Sequence, residues 1–295
     1  MTSESNYLVS TDWLEKNLNA PDLRVVDATY YLPVETGNAR EEYEQEHIPG
    51  AVFFDIDEIK DSESSLPHML PPPEVFSSKV RRLGLGDGTR IVVYDRKGLM
   101  SAPRVWWMFR IFGHRDVHVL DGGLPKWKEE NRPLDDHPVL PKERHFTARL
   151  DTTRVRSINK ILGNIETKRE QVVDARSPGR FEGQDPEPWA GRKSGRIPGS
   201  YNVPYTDLLD PGSGCLKPPE EVRKRFEEAG VDLACPIVTS CGSGITAAAL
   251  AMSLEMLGHK DVALYDGSWA EWGLAENVPI ETGPLPRDKK RDDHS

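Results

Sequence analysis

Val25-Val26-Asp27-Ala28 returns 147 residues later as Val172-Val173-Asp174-Ala175, and this echo decides how the chain divides. Four letters alone mean little. The same chain repeats His47-Ile48-Pro49-Gly50 as Arg196-Ile197-Pro198-Gly199, Pro72-Pro73-Glu74 as Pro218-Pro219-Glu220, and Leu120-Asp121-Gly122 as Tyr265-Asp266-Gly267. The offsets stay between 145 and 149 residues and the order is kept, so the sequence holds two copies of one domain. The first copy is expected over residues 6–134 and the second over 151–285. Residues 135–150, which include the charged and proline-interrupted run Asp135-Asp136-His137-Pro138, read as an exposed linker. Residues 286–295 lack apolar periodicity and are expected to be a disordered tail.

Within each copy, short β-branched runs alternate with helical patterns. In the first these are Val25 to Asp27, Pro73 to Leu83, Ile91 to Asp95, Ser101 to Phe112 and Val117 to Leu120. Such alternation predicts an α/β fold, two homologous domains each with a mainly parallel sheet flanked by helices. In the second copy Ile237-Val238-Thr239-Ser240 reads as a buried strand, and Leu250, Leu254 and Leu257 share one helical face closed by Gly258.

The 295 residues carry 48 acidic and 38 basic side chains, a formal charge of −10. An acidic surface repels phosphate backbones and anionic lipid, which argues against nucleic acid and against an electrostatic membrane anchor. No stretch approaches the apolar length of a membrane span, and Met1 to Asn6 contains no apolar signal core, so the expected location is cytoplasmic. Cys215, Cys235 and Cys241 show neither a disulfide framework nor metal-ligand spacing. Each is read as a thiol.

One of them stands at a telling place. Ser240-Cys241-Gly242-Ser243-Gly244-Ile245-Thr246-Ala247 puts a thiol at the carboxyl end of a predicted parallel strand, where open α/β sheets bind ligands. Gly242 and Gly244 leave the turn's N–H groups unobstructed, and the following helix adds its positive end. Such dipoles favour a thiolate over a thiol, making Cys241 a candidate nucleophile. A serine-hydrolase elbow around Ser243 would need glycine where Cys241 stands; a P-loop would need Gly-Lys-Ser/Thr; a cysteine phosphatase would need arginine where Ala247 stands. All three fail. The equivalent position in the first copy is Asp95, in Asp95-Arg96-Lys97-Gly98, so one active site per chain is expected.

With its duplication, Cys241-Gly242-Ser243-Gly244-Ile245-Thr246, Tyr265-Asp266-Gly267-Ser268-Trp269 and Ser101-Ala102-Pro103-Arg104-Val105-Trp106-Trp107, the chain resembles the tandem-domain rhodanese superfamily, within it the mercaptopyruvate sulfurtransferase branch. The resemblance implies an inactive first domain packed against an active second one. It also implies a ping-pong transfer of sulfur from 3-mercaptopyruvate through a Cys241 persulfide to a thiol such as thioredoxin, or to cyanide, with no metal or organic cofactor. Thiosulfate is the alternative donor; a non-catalytic sulfur-relay module is a third reading. From the resemblance come a Ser243–His68–Asp57 relay for protons and a turn, Gly242, Gly244, Ile245 and Thr246, that binds the donor. Arg180 is implied as a carboxylate clamp. A second arginine is expected after Pro186-Glu187-Pro188, yet Trp189 stands there: either Arg192 or Lys193 supplies the charge, or the pocket prefers a different or less acidic sulfur donor. His47 and Arg196 read as loop anchors, Trp106, Trp107, Trp269 and Trp272 as core or interface aromatics, and Cys215 as part of an exposed loop.

Overall fold

The structure, a computed structural model, describes residues 7–284; the expected tail and residue 285 lie outside the described residues. In the first domain the order is β1 (Leu8–Val9), α1 (Thr11–Asn17), β2 (Leu23–Asp27), α2 (Ala39–Gln45), β3 (Ala51–Phe53), α3 (Pro73–Arg82), β4 (Arg90–Tyr94), α4 (Ala102–Ile111), β5 (Val117–Leu120) and α5 (Gly123–Glu129). The second repeats it: β6 (Val155–Arg156), α6 (Ile158–Thr167), β7 (Gln171–Asp174), α7 (Pro178–Glu182), β8 (Tyr201–Asn202), α8 (Pro219–Glu228), β9 (Ile237–Ser240), α9 (Ala247–Met256), β10 (Val262–Tyr265) and α10 (Ser268–Trp272).

Among the described residues each domain holds a five-stranded sheet, ordered β1-β5-β4-β2-β3 and β6-β10-β9-β7-β8, and every strand pair is parallel. The Val/Ile-rich inner strands β2, β4, β5, β7, β9 and β10 are buried on both faces over most of their length, as parallel strands covered by crossover helices must be. The repeated motifs explain the repeated elements. Pro73 and Pro219 open α3 and α8, where a fixed φ suits the first helical turn and no N–H is wasted. His47 and Arg196 anchor their loops, bridging to Asp135 and Glu281.

The inner faces of the two domains merge into one apolar cluster that runs from Val26, Val93, Trp106 and Phe109 to Val173, Leu250 and Leu264. Two smaller clusters, around Leu14 and Trp127 and around Ile161 and Trp272, fill the outer faces. Helix α9 is buried on every side from Ala247 to Leu254, packed against α4 across the domain boundary. A helix apolar all round, with small Ala side chains, belongs inside a protein. Burying both helices there locks the domains together.

Residues 135–150, expected to be an exposed linker, are mostly exposed. They form neither helix nor strand, but Phe146 is buried against Phe76 and Phe109, and Asp87 donates its N–H to His145 O at 2.8 Å. One aromatic side chain makes the segment a strap on the first domain.

Candidate functional site

Both sheets change winding direction between their second and central strands, and ligand sites of such sheets lie at the carboxyl ends there. Cys241 follows β9 at that point. Its N–H donates to Ser268 Oγ at 3.1 Å, while its carbonyl accepts the Trp269 N–H at 3.0 Å. Ser268 holds a left-handed φ of 49°, and its hydroxyl donates in turn to Tyr265 O. Among the described residues, no protein acceptor takes the main-chain N–H groups of Gly242, Ser243, Gly244, Ile245, Thr246 or Ala247. Four of these donors, on Gly242, Ser243, Ile245 and Thr246, belong to residues that line the cavity of Cys241, where they can meet an anion.

The first domain shows what this turn does when an anion occupies it. Asp95 stands at the Cys241 position, and Leu124 donates to its carbonyl as Trp269 does to that of Cys241. Its Oδ1 accepts the Lys97 N–H, and its Oδ2 those of Met100, Ser101 and Ala102, all at 2.8–2.9 Å. Burial pushes the Asp95 pKa above the ordinary carboxylate value while the four donors oppose that shift. Both oxygens accept and neither meets an acceptor, the hydrogen-bond pattern of an ionised carboxylate.

The two sites also exchange covers. Leu70 of the first domain donates its N–H to Asp266 Oδ2 at 2.7 Å, and Leu216 of the second donates to Asp121 Oδ1 at 2.9 Å, in equivalent positions. These bonds carry each domain's loop over the other's turn. His68, with φ 60°, thereby reaches Ser243, and its counterpart Gly214, with φ 67°, lies on Gly98. The reciprocal site thus lacks both the thiol and the imidazole.

His68 Nδ1 and Ser243 Oγ are 2.9 Å apart, both residues buried. Burial drives the imidazole pKa down to about 3, helped by Arg104 and Lys60 and opposed by Asp57, so the ring is neutral at physiological pH. Asp57 is 3.5 Å from His68 Nε2, half exposed, and paired at 2.9 Å with Lys60. A neutral ring facing a carboxylate through Nε2 carries its hydrogen there and accepts the Ser243 hydroxyl at Nδ1.

Cys241 lines a cavity of about 190 Å³ whose walls come from both domains, with Leu32, Glu35, Lys97 and Met100 facing Arg180, Trp189 and Tyr205. Gly242, Ser243, Ile245 and Thr246 line it as well. Gly244 and Arg192, expected to bind the donor, are not among the residues that line it. Gly244 has φ +81°, and an added Cβ would meet Asp266 O at 2.9 Å and Arg104 Nη1 at 3.0 Å, which makes it a packing position at the domain boundary. Arg192 gives its guanidinium to the carbonyls of Ala270 and Ala190, and Lys193 gives its ammonium to that of Ala275. Arg180 does face the turn, but it is held by Glu187 through Nη2 at 2.5 Å.

Sequence reasoning missed the supports. Glu187 also accepts from Arg176, a fully buried side chain that stacks on Trp269 and pairs with Asp174. Arg104, equally buried, donates to His68 O at 2.6 Å, approaches Gly244 O at 3.3 Å and pairs with Asp266 at 2.8 Å. No spacing in the sequence announces either. Cys215, read as part of an exposed loop, is half-buried against Asp121 and Gly122, because its turn covers the first domain's inactive site. Burial and the Asp121 carboxylate raise its pKa; the Asp232 carboxylate, accepting the Cys235 S–H, raises that of Cys235. Both neighbours favour the thiol form.

A cysteine turn at the winding switch of one of two duplicated parallel sheets defines a tandem-domain member of the rhodanese class. Residues 10–130 and 157–275 both match the family described as rhodanese-like domain, and the chain belongs to that family. Among individual proteins, it is 48% identical over 271 residues to human 3-mercaptopyruvate sulfurtransferase, covering 90% of this chain and 91% of that one. It is 42% identical over 303 residues to the Arabidopsis thaliana protein named thiosulfate/3-mercaptopyruvate sulfurtransferase 1, mitochondrial, covering 95% and 79%. The crystal structure of SseA from Escherichia coli, described among 3-mercaptopyruvate sulfotransferases, superimposes with a TM-score of 0.83 at 39% identity, over 90% of this chain and 99% of that one. Among the described residues, no helix is long and apolar enough to cross a membrane.

Proposed function

We propose that this chain is a sulfurtransferase that takes sulfur from 3-mercaptopyruvate onto Cys241 and passes it to a thiol or to cyanide. The observation that carries the reading is a cysteine at the mouth of six unspent main-chain donors, in a turn whose twin binds a carboxylate through four of them. Such a nest stabilises a thiolate, then a persulfide.

In the first half-reaction the Cys241 thiolate attacks the donor's sulfur. An S–S bond forms as the C–S bond breaks, its electron pair leaving on carbon as the enolate of pyruvate. Ser243, its hydroxyl held by His68 Nδ1, gives a proton to that carbon and takes one back from the S–H of the new persulfide, so the products are pyruvate and a Cys241 persulfide anion. Asp57 keeps the imidazole in the accepting tautomer, weakly, because it is half exposed and shared with Lys60. In the second half-reaction an acceptor thiolate attacks the outer sulfur and restores Cys241; cyanide would leave as thiocyanate. Thioredoxin or a small thiol would serve as acceptor, and three free cysteines suit a reducing compartment such as the cytoplasm.

Arg180, with Ile245, Thr246 and Gly242 around it, holds the donor's carboxylate near the turn. Thiosulfate, a dianion, suits this cavity less well, because Glu187 already neutralises Arg180 and Trp189 adds an apolar wall. The test is a comparison of kcat/KM for pyruvate release from 3-mercaptopyruvate with that for thiocyanate formation from thiosulfate, on one preparation. Mercaptopyruvate is expected to give the higher value; the reverse would overturn the donor assignment, and equal turnover by Cys241→Ala would overturn the mechanism.

A further inference from the structure

Among the described residues, three cations line the cavity of Cys241: Arg176, Arg180 and Lys97. They are not equally available. Arg176 has four of its five N–H groups engaged, Nε and Nη2 on Asp174, Nη1 on Glu187 and Nη2 also on Gly195 O. Arg180 gives Nε and Nη2 to Glu187 and keeps Nη1. Lys97 comes from the other domain. Its ammonium has three hydrogens, gives one to Glu35, and lies 5.0 Å from the Tyr31 ring centre.

The inactive turn holds this lysine in place. Asp95 fixes the Lys97 N–H at 2.8 Å, and Gly98, in a left-handed conformation with φ +95°, packs on the Gly214 carbonyl, where an added Cβ would sit only 3.0 Å away. With its anion built in, the turn cannot receive a substrate anion; it presents a cation to the neighbouring domain's cavity instead.

We propose that Lys97 is a donor-binding residue of the active site, receiving the carboxylate end of the sulfur donor together with Arg180. The assignment rests on the donor class given above. It also makes the first domain's turn part of the working site, because an anionic donor bridging Lys97 and Arg180 ties the two domains across the cavity. Glu35 competes for the ammonium, so it opposes binding, while its other oxygen accepts the Leu32 N–H and fixes the loop.

The test is calorimetric binding of 3-mercaptopyruvate to Cys241→Ser protein, which cannot complete transfer. Lys97→Ala in that background should weaken binding about tenfold, the loss of a hydrogen bond to a charged group. Lys97→Arg should recover most of it. Glu35→Gln, which retains the acceptor for Leu32, should tighten binding at least about twofold by releasing the ammonium. Unfolding midpoints of the variants check that the cavity survives. Binding within twofold of the parent for Lys97→Ala, weaker binding for Glu35→Gln, or no binding of 3-mercaptopyruvate by the parent would overturn the proposal. Intact binding with no turnover by the natural enzyme would instead refute the sulfur-transfer reading and leave the role of Lys97 standing.

Discussion

Arg104→Met is the substitution that asks most of the domain boundary. The arginine is fully buried, pairs with Asp266, and donates to the carbonyls of His68 and Gly244. Methionine keeps the aliphatic stem beside Trp107 but leaves the Asp266 carboxylate buried without its counter-ion and two carbonyls without donors. Removing one member of such a pair costs about 3–5 kcal/mol. Urea unfolding followed by tryptophan fluorescence would measure it, and Asp266→Asn supplies the second arm of a double-mutant cycle. A coupling energy of about 1–3 kcal/mol is expected, because the asparagine can still accept from Leu70 N while no longer needing the cation. Turnover should fall as well, by roughly 10- to 100-fold, since the carbonyl Arg104 holds belongs to His68, in a left-handed conformation that non-glycine residues avoid. A loss below about 1 kcal/mol with additive single variants would refute the idea that this ion pair fixes the imidazole against Ser243.

Other substitutions separate the roles within the site. Ser243→Ala should lower kcat by about 10²-fold or more, whereas Asp57→Asn should cost under about tenfold, its carboxylate being half exposed and shared with Lys60; equal losses in steady-state kinetics would contradict the proposed order of importance. Gly242→Ala places a methyl 2.7 Å from Arg180 Nη2, the movable end of a long side chain, so the unfolding midpoint should change little while KM for mercaptopyruvate rises; an unchanged KM would remove Arg180 from donor binding. The pH dependence of folding carries a sign. His68 binds its proton at about pH 3 when folded and near 6.5 when unfolded, so between these values the unfolded chain holds the extra proton. Stability from this residue therefore falls as pH drops below 6.5, by up to about 1.4 kcal/mol per unit. The stability difference between the natural protein and His68→Asn should follow that slope, and a flat difference from pH 7 to 4 would mean that the imidazole is solvated.

Much of this architecture was legible because duplication writes everything twice. Ile-Pro-Gly, Pro-Pro-Glu and Asp-Gly each mark a local event, a loop anchor, a helix start or a strand end, and local events depend on neighbouring letters. Cys241 was legible for the same reason: strand, glycine turn and helix are consecutive. His68 was not. It meets Ser243 through a loop that crosses to the other domain, a contact between residues 175 positions apart that only a resemblance could suggest. The partners of Arg192 were not legible, because a count of residues after Pro188 says nothing about which carbonyls will claim a guanidinium. Glu187 shows the converse, an acidic residue drawn into a cationic cavity to neutralise Arg176 and Arg180. The linker's attachment turned on Phe146, the one buried side chain of a run in which Val139, Ala148 and Leu150 are only partly covered.

The most direct test is the intact mass of the protein after brief exposure to 3-mercaptopyruvate, with the modified residue located by peptide mapping. Gain of one sulfur atom on Cys241, reversed by cyanide with release of thiocyanate, is the expected result. An unchanged mass, or sulfur found on Cys215 or Cys235 instead, would contradict the claim that the open amides of the 241–247 turn make Cys241 the acceptor.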